Sequence, residues 1–447
     1  MNTSSVRGRL RGGQGGSAQR AGAASLVPLM GEYIETSRLA SGVTVVTETM
    51  PDVRSVTTGV WVGVGSRDEV PREAGASHFL EHLLFKGTDD RRAHEIAEMI
   101  DAVGGEMNAY TTKEYTAFHT RTLAEDLDVG LGLLCDILSS PALREEEVDT
   151  ERQVILEEIL LRGDEPADLV HDVIHELAYE GHGLGRDPLG DAQTVEGQRS
   201  VDIRSFMDAT YVGSSMVVAA AGRVRHDDVV KRVEARLVRP QGPGAPKRCA
   251  PDAVSGGVRV QPEDTEQAHV VVAFPALDRH DPDRYALSIA DHVLGGGLSS
   301  RLFMEIREKR GLAYSVYSYR AAYVDAGLWC IYAGTAPGRA EEVLGLIDAA
   351  LLDLRTNGVS EAELTRAKSS VRAGTALGLE DSGSRMSRIG RSLLLHGEVL
   401  PIDVVLSRTE AISSADCHRA IERVLSQPRL LAVVGPFEES AFAGYGA

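Results

Sequence analysis

The chain reads as an α+β protein of two homologous domains, each a mostly antiparallel sheet with helices packed on it. Three observations predict this. A weak internal repeat is visible: strand-like VTTGVWVGV (56–64) and MVVAAAGRV (216–224) bracket one half, and AHVVVAFPAL (268–277) and LLAVVGP (430–436) bracket the other. Between the halves, residues 238–256 are rich in Pro and Gly and read as a linker. The 447 residues exceed one typical domain, and a hydrophobic content of 43% supplies two cores. The expected division is a tail over 1–30, a first domain over 31–237, the linker over 238–256 and a second domain over 257–447.

Taken in order, residues 1–30 are rich in Gly, Ser, Ala and Arg and contain no Asp or Glu. They hold no apolar h-region, so they are not a secretory signal. Their composition is similar to that of a mitochondrial transit peptide. The arginines sit among glycines rather than along an amphipathic face, however, and a disordered tail is expected.

The next informative element is His78-Phe79-Leu80-Glu81-His82. Pro71 and Glu73 mark a helix start and Lys86-Gly87 a stop, while Phe79, Leu80, Leu83 and Leu84 give the helix a face to bury. On a helix, His78 and His82 lie one turn apart on one face, which suits two ligands of a single metal ion. Glu81 lies on the same side, placed to take a proton from a metal-activated water. The bland alternative is a core helix with two hydrogen-bonded histidines. Further on, Asn108-Ala109-Tyr110-Thr111 follows Gly104-Gly105 and reads as a strand start.

A second amphipathic helix is expected over 145–161, EEEVDTERQVILEEILL. Glu151 and Glu158 are seven apart and share a face; Glu157 points about 100° away. One carboxylate could complete a metal site and another could stand behind it to orient a histidine; on the residues alone the assignment stays open. Asp168 and Asp172 follow at i, i+4, a pair suited to a guanidinium fork or simply to solvent. His171 and His175 have no carboxylate placed between them and read as helix-surface or interface histidines.

In the second half, REKRGLAYSVY, with Arg307 and Tyr314, reads as a helix-to-strand connection. The segments that correspond to the two helices above, about 300–305 and 367–375, carry neither a His pair nor a ligand carboxylate. One metal per chain follows. Gly295-Gly296-Gly297 precedes no G-K-[ST], so it is not a phosphate loop.

Composition excludes other classes. A net charge of -19 argues against nucleic-acid binding and suits attraction of basic peptides. No apolar run approaches the roughly 18–20 residues that span a bilayer. Cys135, Cys249, Cys330 and Cys417 form no C-x-x-C pair and read as reduced thiols. Six of the 47 basic residues are Lys, a bias that suggests a GC-rich bacterial genome.

The HFLEH stretch followed by ERQVILEEI resembles the pitrilysin and mitochondrial-processing-peptidase family of inverted-motif zinc peptidases. The resemblance runs from about residue 33 to near the end and is closest to the processing-peptidase-like branch. It implies a fold forming one half of a clamshell, with a catalytic, zinc-binding first domain. It implies His78, His82 and Glu158 as ligands of one Zn²⁺, Glu81 as general base and Glu151 as an additional acidic residue. It implies Asn108 and Ala109 on an edge strand that receives the substrate as an added strand. It implies Arg307 and Tyr314 at the peptide and its tetrahedral intermediate, and Asp168 and Asp172 as receivers of a substrate Arg.

The expected function is a zinc endopeptidase acting on extended, unfolded peptides, with a preference for a basic residue near the scissile bond. A homodimer is expected because the zinc motif and the Arg/Tyr pair occur in one chain. The expected setting is the bacterial cytoplasm rather than the mitochondrial matrix, without nucleic-acid or membrane partners. The rival readings are a non-catalytic subunit related to respiratory-complex core proteins and a peptidase dedicated to one small modified peptide.

Overall fold

The computed structural model describes residues 33–446 apart from Ala245; the tail expected over 1–30 lies outside them. The first sheet has six strands: β1 (Ile34–Arg38), β2 (Thr44–Thr49), β3 (Ser55–Val62), β4 (Glu106–Thr111), β5 (Thr116–Leu123) and β6 (Met216–Gly222). Their spatial order is β1-β2-β6-β3-β5-β4, and only β2 and β6 run parallel. The second sheet has five: β7 (Gly257–Pro262), β8 (Ala268–Pro275), β9 (Ala313–Ala322), β10 (Gly327–Thr335) and β11 (Leu430–Gly435). Their order is β7-β11-β8-β10-β9, and only β7 and β11 run parallel. Without β1, the first sheet has the order and directions of the second, which is the internal repeat in structural form. Each repeat opens one strand earlier than the sequence suggests, at β2 and β7.

Both sheets are buried on both faces, and alternation along a strand divides its side chains between two cores. Along β6, Met216, Val218 and Ala220 join the main core of the first half. The intervening Val217, Ala219 and Ala221 face a different cluster that contains Met386 and Ile389 of the Ser382–His396 helix. Along β11, Leu431 and Val433 join the main core of the second half, while Leu430, Ala432 and Val434 meet Val170, Val173 and Ile174 of the Pro166–Ala178 helix. Each half therefore covers the other's sheet with one of its own helices. His171 and His175 lie in this interface: His171 Nδ1 is 2.6 Å from the Tyr319 hydroxyl, and the His175 ring packs near Tyr323.

The contact over the first sheet is tight. A Cβ on Gly390 would lie 2.5 Å from the Trp61 ring, and one on Gly59 would meet Trp61 and the Met386 sulfur within 2.8 Å. Glycine at both places lets the helix seat on a buried tryptophan.

Electrostatics joins the halves as well. Glu114, in the turn between β4 and β5, is 2% exposed. Its carboxylate accepts from Arg67 of the first half over 2.6 Å and from Arg279 of the second, and Arg248 lies 3.7 Å away. Arg248 belongs to residues 238–256, which form no helix or strand among the described residues, and it also pairs with Asp68 at 2.7 Å. Arg67 reaches Asp325 at 2.7 Å.

Replacing a mid-helix Gly by Ala ordinarily stabilises by up to about 1 kcal/mol. For Gly390→Ala the clash with Trp61 outweighs that gain, and a net loss of about 1–3 kcal/mol is expected in urea unfolding. A gain in stability would mean that the helix does not seat on Trp61 as described.

Candidate metal centre and active site

The His78 helix spans Ala76–Leu84 and is fixed before it begins. Gly75 adopts φ 88°, a left-handed conformation that glycine tolerates, and a Cβ there would lie 2.6 Å from the Leu189 carbonyl oxygen. The N–H groups of Gly75 and Ser77 donate to the two oxygens of Glu69 over 2.9 and 2.8 Å. Glu69 thus caps the first turn. The sequence signals Pro71 and Glu73 form a separate 3₁₀ turn upstream. Burial pushes the Glu69 carboxyl up to about 7, partly offset by the hydrogen bonds from Ser77 and Gly75. Phe79, Leu80, Leu83 and Leu84 then anchor the helix in the core.

That anchoring turns His78 and His82 toward the Glu145–Gly163 helix. Ligand atoms of His78, His82 and Glu158 lie within 4.8 Å of one another. Glu158 Oε2 is 3.7 Å from His78 Nε2 and 3.6 Å from His82 Nε2. Tetrahedral zinc with bonds of about 2.0–2.1 Å requires ligand atoms about 3.4 Å apart. Two imidazole nitrogens and one carboxylate oxygen are also a donor set that zinc accepts. The residues fit the ion.

Glu151 stands behind. Its Oε2 accepts from His82 Nδ1 over 3.1 Å and its Oε1 pairs with Lys86 at 2.6 Å. The bond fixes the His82 tautomer with its Nε2 lone pair directed at the cluster. Glu157 is exposed and lies outside the cluster. The alternatives left open among the three glutamates thus separate in space: Glu158 in the cluster, Glu151 behind His82, Glu157 in solvent.

The two imidazoles differ electrostatically. Burial, aided by the His82 charge, pushes His78 down to about 4, so it stays neutral with a free lone pair. Burial also works against protonated His82, but the carboxylates of Glu151, Glu158 and Glu81 outweigh it and raise the His82 pKa. For Glu81, burial and repulsion from Glu158 raise the carboxyl, while Thr111 and His82 pull it partly back. The Thr111 hydroxyl donates to Glu81 Oε2 over 2.5 Å. Burial raises Glu151 too, but the hydrogen bonds from His82 and Lys86 dominate and hold it below the usual carboxylate range.

Thr111 ends β4, the free edge of the first sheet. Met107, Ala109 and the half-buried Thr111 share one face of β4; Met107 and Ala109 pack against the core that holds the His78 helix, and Thr111 reaches Glu81. The Asn108 Oδ1 accepts from the Ala109 N–H over 2.8 Å, covering one edge donor. Asp172 Oδ2 takes the chain's own Arg162 at 2.9 Å, and Asp168 lies 3.9 Å from that guanidinium, 61% exposed. Arg307 lies in a π-helical turn, Phe303–Glu308, with its guanidinium 4.7 Å from the Tyr314 ring centroid and 4.9 Å from that of Phe303. Tyr314 is 81% exposed on β9. Among the described residues no hydrogen bond, ion pair or ring contact joins this pair to His78, Glu81, His82 or Glu158.

Sequence reasoning missed Glu69, Lys86 and Thr111. Lys86 had a signal, since it follows His82 by four residues and so lies on its face. Thr111 sits in a quoted strand, but nothing local pairs it with Glu81. Glu69 precedes its helix by a loop that hides its capping role.

Comparison with known proteins gives the family. Residues 44–192 match the family model described as insulinase, peptidase family M16, and residues 201–371 match that described as the peptidase M16 inactive domain. An uncharacterised zinc protease of Streptomyces coelicolor is 42% identical over 437 residues, 95% of each chain. The chain belongs to peptidase family M16. A further M16 relative, an uncharacterised zinc protease of Bacillus subtilis, is 35% identical over 396 residues, covering 89% of this chain and 97% of its own. The M16 fold is shared with a protease from Helicobacter pylori (TM-score 0.86, 24% identity, 91% of this chain and 100% of that one). It is shared equally with a peptidase M16 inactive domain from Pseudomonas fluorescens (TM-score 0.85, 20% identity, 91% and 98%). Among the described residues of this M16 chain, no helix is long and apolar enough to cross a membrane.

Glu69→Ala leaves the buried Gly75 and Ser77 N–H groups without their acceptor, and a loss of about 1–3 kcal/mol is expected. The Glu69 pKa rises from 4.5 to about 7 on folding, so its contribution is full below pH 4.5 and is lost as pH rises through 7. Denaturant unfolding across that range should show the fall in the unaltered chain and not in Glu69→Ala. Identical slopes would contradict the burial of Glu69.

Proposed function

We propose that the chain is a zinc endopeptidase that cuts extended, unfolded peptides. The observation that carries this is the meeting of His78, His82 and Glu158 beside Glu81, at the end of an unpaired edge strand. The peptide adds to β4 by main-chain pairing, displacing the Asn108 side chain from the Ala109 N–H. His78, His82 and Glu158 hold the zinc, one ion per chain. When bound, zinc acidifies a water and polarises the scissile carbonyl. Glu81, poised by Thr111, takes the proton of the attacking water and passes it to the leaving amine. Glu151 is a positioning residue that acts through His82. Arg307 and Tyr314, already stacked on each other, reach the peptide from the second half as the site closes.

A preference for a basic residue near the scissile bond rests on Asp168, because Arg162 already engages Asp172. We extend the reading to a homodimer in the bacterial cytoplasm. Its support is the presence of the zinc cluster and the Arg/Tyr pair in one chain, bacterial relatives, and four free cysteines.

Zinc content and cleavage of a quenched Arg-containing peptide, with Glu81→Gln alongside, test this reading. About one zinc per chain is expected in both proteins, with kcat at least about 10²–10⁴-fold lower in the variant. Equal turnover would remove Glu81 from its role, and absence of zinc would favour a non-catalytic subunit. His78→Ala and His82→Ala should lose both metal and activity. Glu151→Gln should bind zinc about 10–100-fold more weakly, measured by chelator competition. For the specificity, a peptide-library digest should favour Arg or Lys beside the cut, and Asp168→Asn should weaken that bias; indifference would sink it.

A further inference from the structure

An opening of about 830 Å³ lies between the two halves. This is within the range of ligand sites. One wall is Thr112–Tyr115, the turn that directly follows Thr111 at the end of β4. Another is the end of β9, including Arg320, and a third is the end of the Ser382–His396 helix. The cavity is therefore one residue beyond the strand end where Thr111 touches Glu81.

Its charge is the reverse of the chain's. A protein of net charge -19 lines this space with Lys113, Arg279, Arg284, Arg320 and Arg391 against two carboxylates, Glu114 and Asp278. Arg279 is committed to Glu114, and Arg320 has Asp291 at 3.7 Å. Arg284 donates only to the carbonyl oxygens of His280 and Asp281 and to the Tyr285 hydroxyl. Arg391 is exposed and makes no hydrogen bond or ion pair among the described residues. Lys113 donates to the Arg186 carbonyl oxygen over 2.7 Å, and Arg284 and Arg391 face the cavity with no carboxylate within ion-pair distance among the described residues. The His396 imidazole registers them: burial first, then Arg279, Arg284 and Arg391, push it down to about 4.

We propose that this cavity is a subsite for a carboxylate of the substrate peptide, with Arg391 and Arg284 as its binding residues. The proposal rests on the peptidase reading above. An added strand antiparallel to β4 brings its N-terminal side to the Thr112 end; a parallel one brings its C-terminal side. The carboxylate is accordingly an Asp or Glu side chain in the first case and the C-terminal α-carboxylate in the second. Guanidinium is suited to either, since its fork matches both oxygens.

The test is binding of fluorescent peptides to zinc-loaded Glu81→Gln, read by anisotropy. Three peptides share one sequence: a free acid, its C-terminal amide, and a free acid in which one Glu on the N-terminal side of the cut becomes Gln. Several-fold to about tenfold weaker binding of the amide, abolished by adding Arg391→Gln, assigns the α-carboxylate and a parallel strand. The same loss for the Gln peptide assigns the side chain and an antiparallel strand. Either difference should shrink with salt. Equal binding of all three, or a difference that persists in both Arg391→Gln and Arg284→Gln, overturns the subsite. Arg391→Gln removes an exposed, unpaired side chain, so the fold is not at stake. Cleavage of the same peptides by the unaltered chain reports separately on the peptidase reading, and binding remains readable if that reading fails.

Discussion

The buried carboxylate of Glu114 is the constraint on which the relation of the two halves depends. A charge out of water is tolerable only when paired, and a single arginine would leave lone pairs unmet. Glu114 meets Arg67, Arg248 and Arg279, which come from the first half, the connecting segment and the second half. Removing Glu114 leaves Arg279 without a carboxylate, while Arg67 keeps Asp325 and Arg248 keeps Asp68. The cluster therefore works less as a source of net stability than as a device that specifies one arrangement. It fixes the turn after β4 against the second half, and so sets where the cavity and the β4 edge stand relative to the cluster of His78, His82 and Glu158.

The helix exchange enforces the same arrangement through apolar burial. A sheet whose two faces are both apolar must be covered twice, and each half supplies only part of its own cover. The Pro166–Ala178 helix leaves the first half to complete the second sheet, and the Ser382–His396 helix does the reverse. Each half has a main core of its own, but the second face of each sheet is covered only by the other half, so the repeat that looks like two domains in sequence packs as one body. The Pro166–Ala178 helix follows the ligand helix after a short break, so packing in the second half bears directly on the carboxylates of the first.

What the sequence disclosed follows the range of the interactions. His78, Glu81 and His82 were legible because helical spacing alone brings them to one side. Glu151 and Glu158 were legible as a pair on one face, but their division of labour depends on which meets His82 from behind. That is a tertiary fact. The short polar strand β1, IETSR, has no alternation to betray it and exists by pairing with β2. His171 and His175 were read as helix-surface or interface histidines, but which sheet their helix covers is a tertiary fact. Glu114, between Lys113 and Tyr115 in a turn, reads as a solvent residue; its partners Arg67 and Arg279 lie 47 and 165 positions away. The acidic pair Asp168 and Asp172 was read as suited to a substrate guanidinium or to solvent, whereas Arg162, at the end of the preceding helix, already reaches Asp172.

The cluster shows how one helix turn yields two unlike imidazoles. For His78 burial dominates: its Nδ1 is enclosed without a partner among the described residues, and burial, then the His82 charge, lowers its basicity. His82 is held by charge: Glu151 accepts the hydrogen bond from its Nδ1–H, and the hydrogen bonds from His82 and Lys86 hold Glu151 below the usual carboxylate range. A cluster of two imidazoles and several carboxylates would repel itself if every carboxylate faced the same point. Placing Glu151 behind a histidine, with a lysine at its other oxygen, removes one negative charge from the face while still strengthening the ligand it supports. Glu158 is then left as the carboxylate facing both Nε2 atoms, and Glu81 stands beside it with its basicity raised by burial and by that same neighbour.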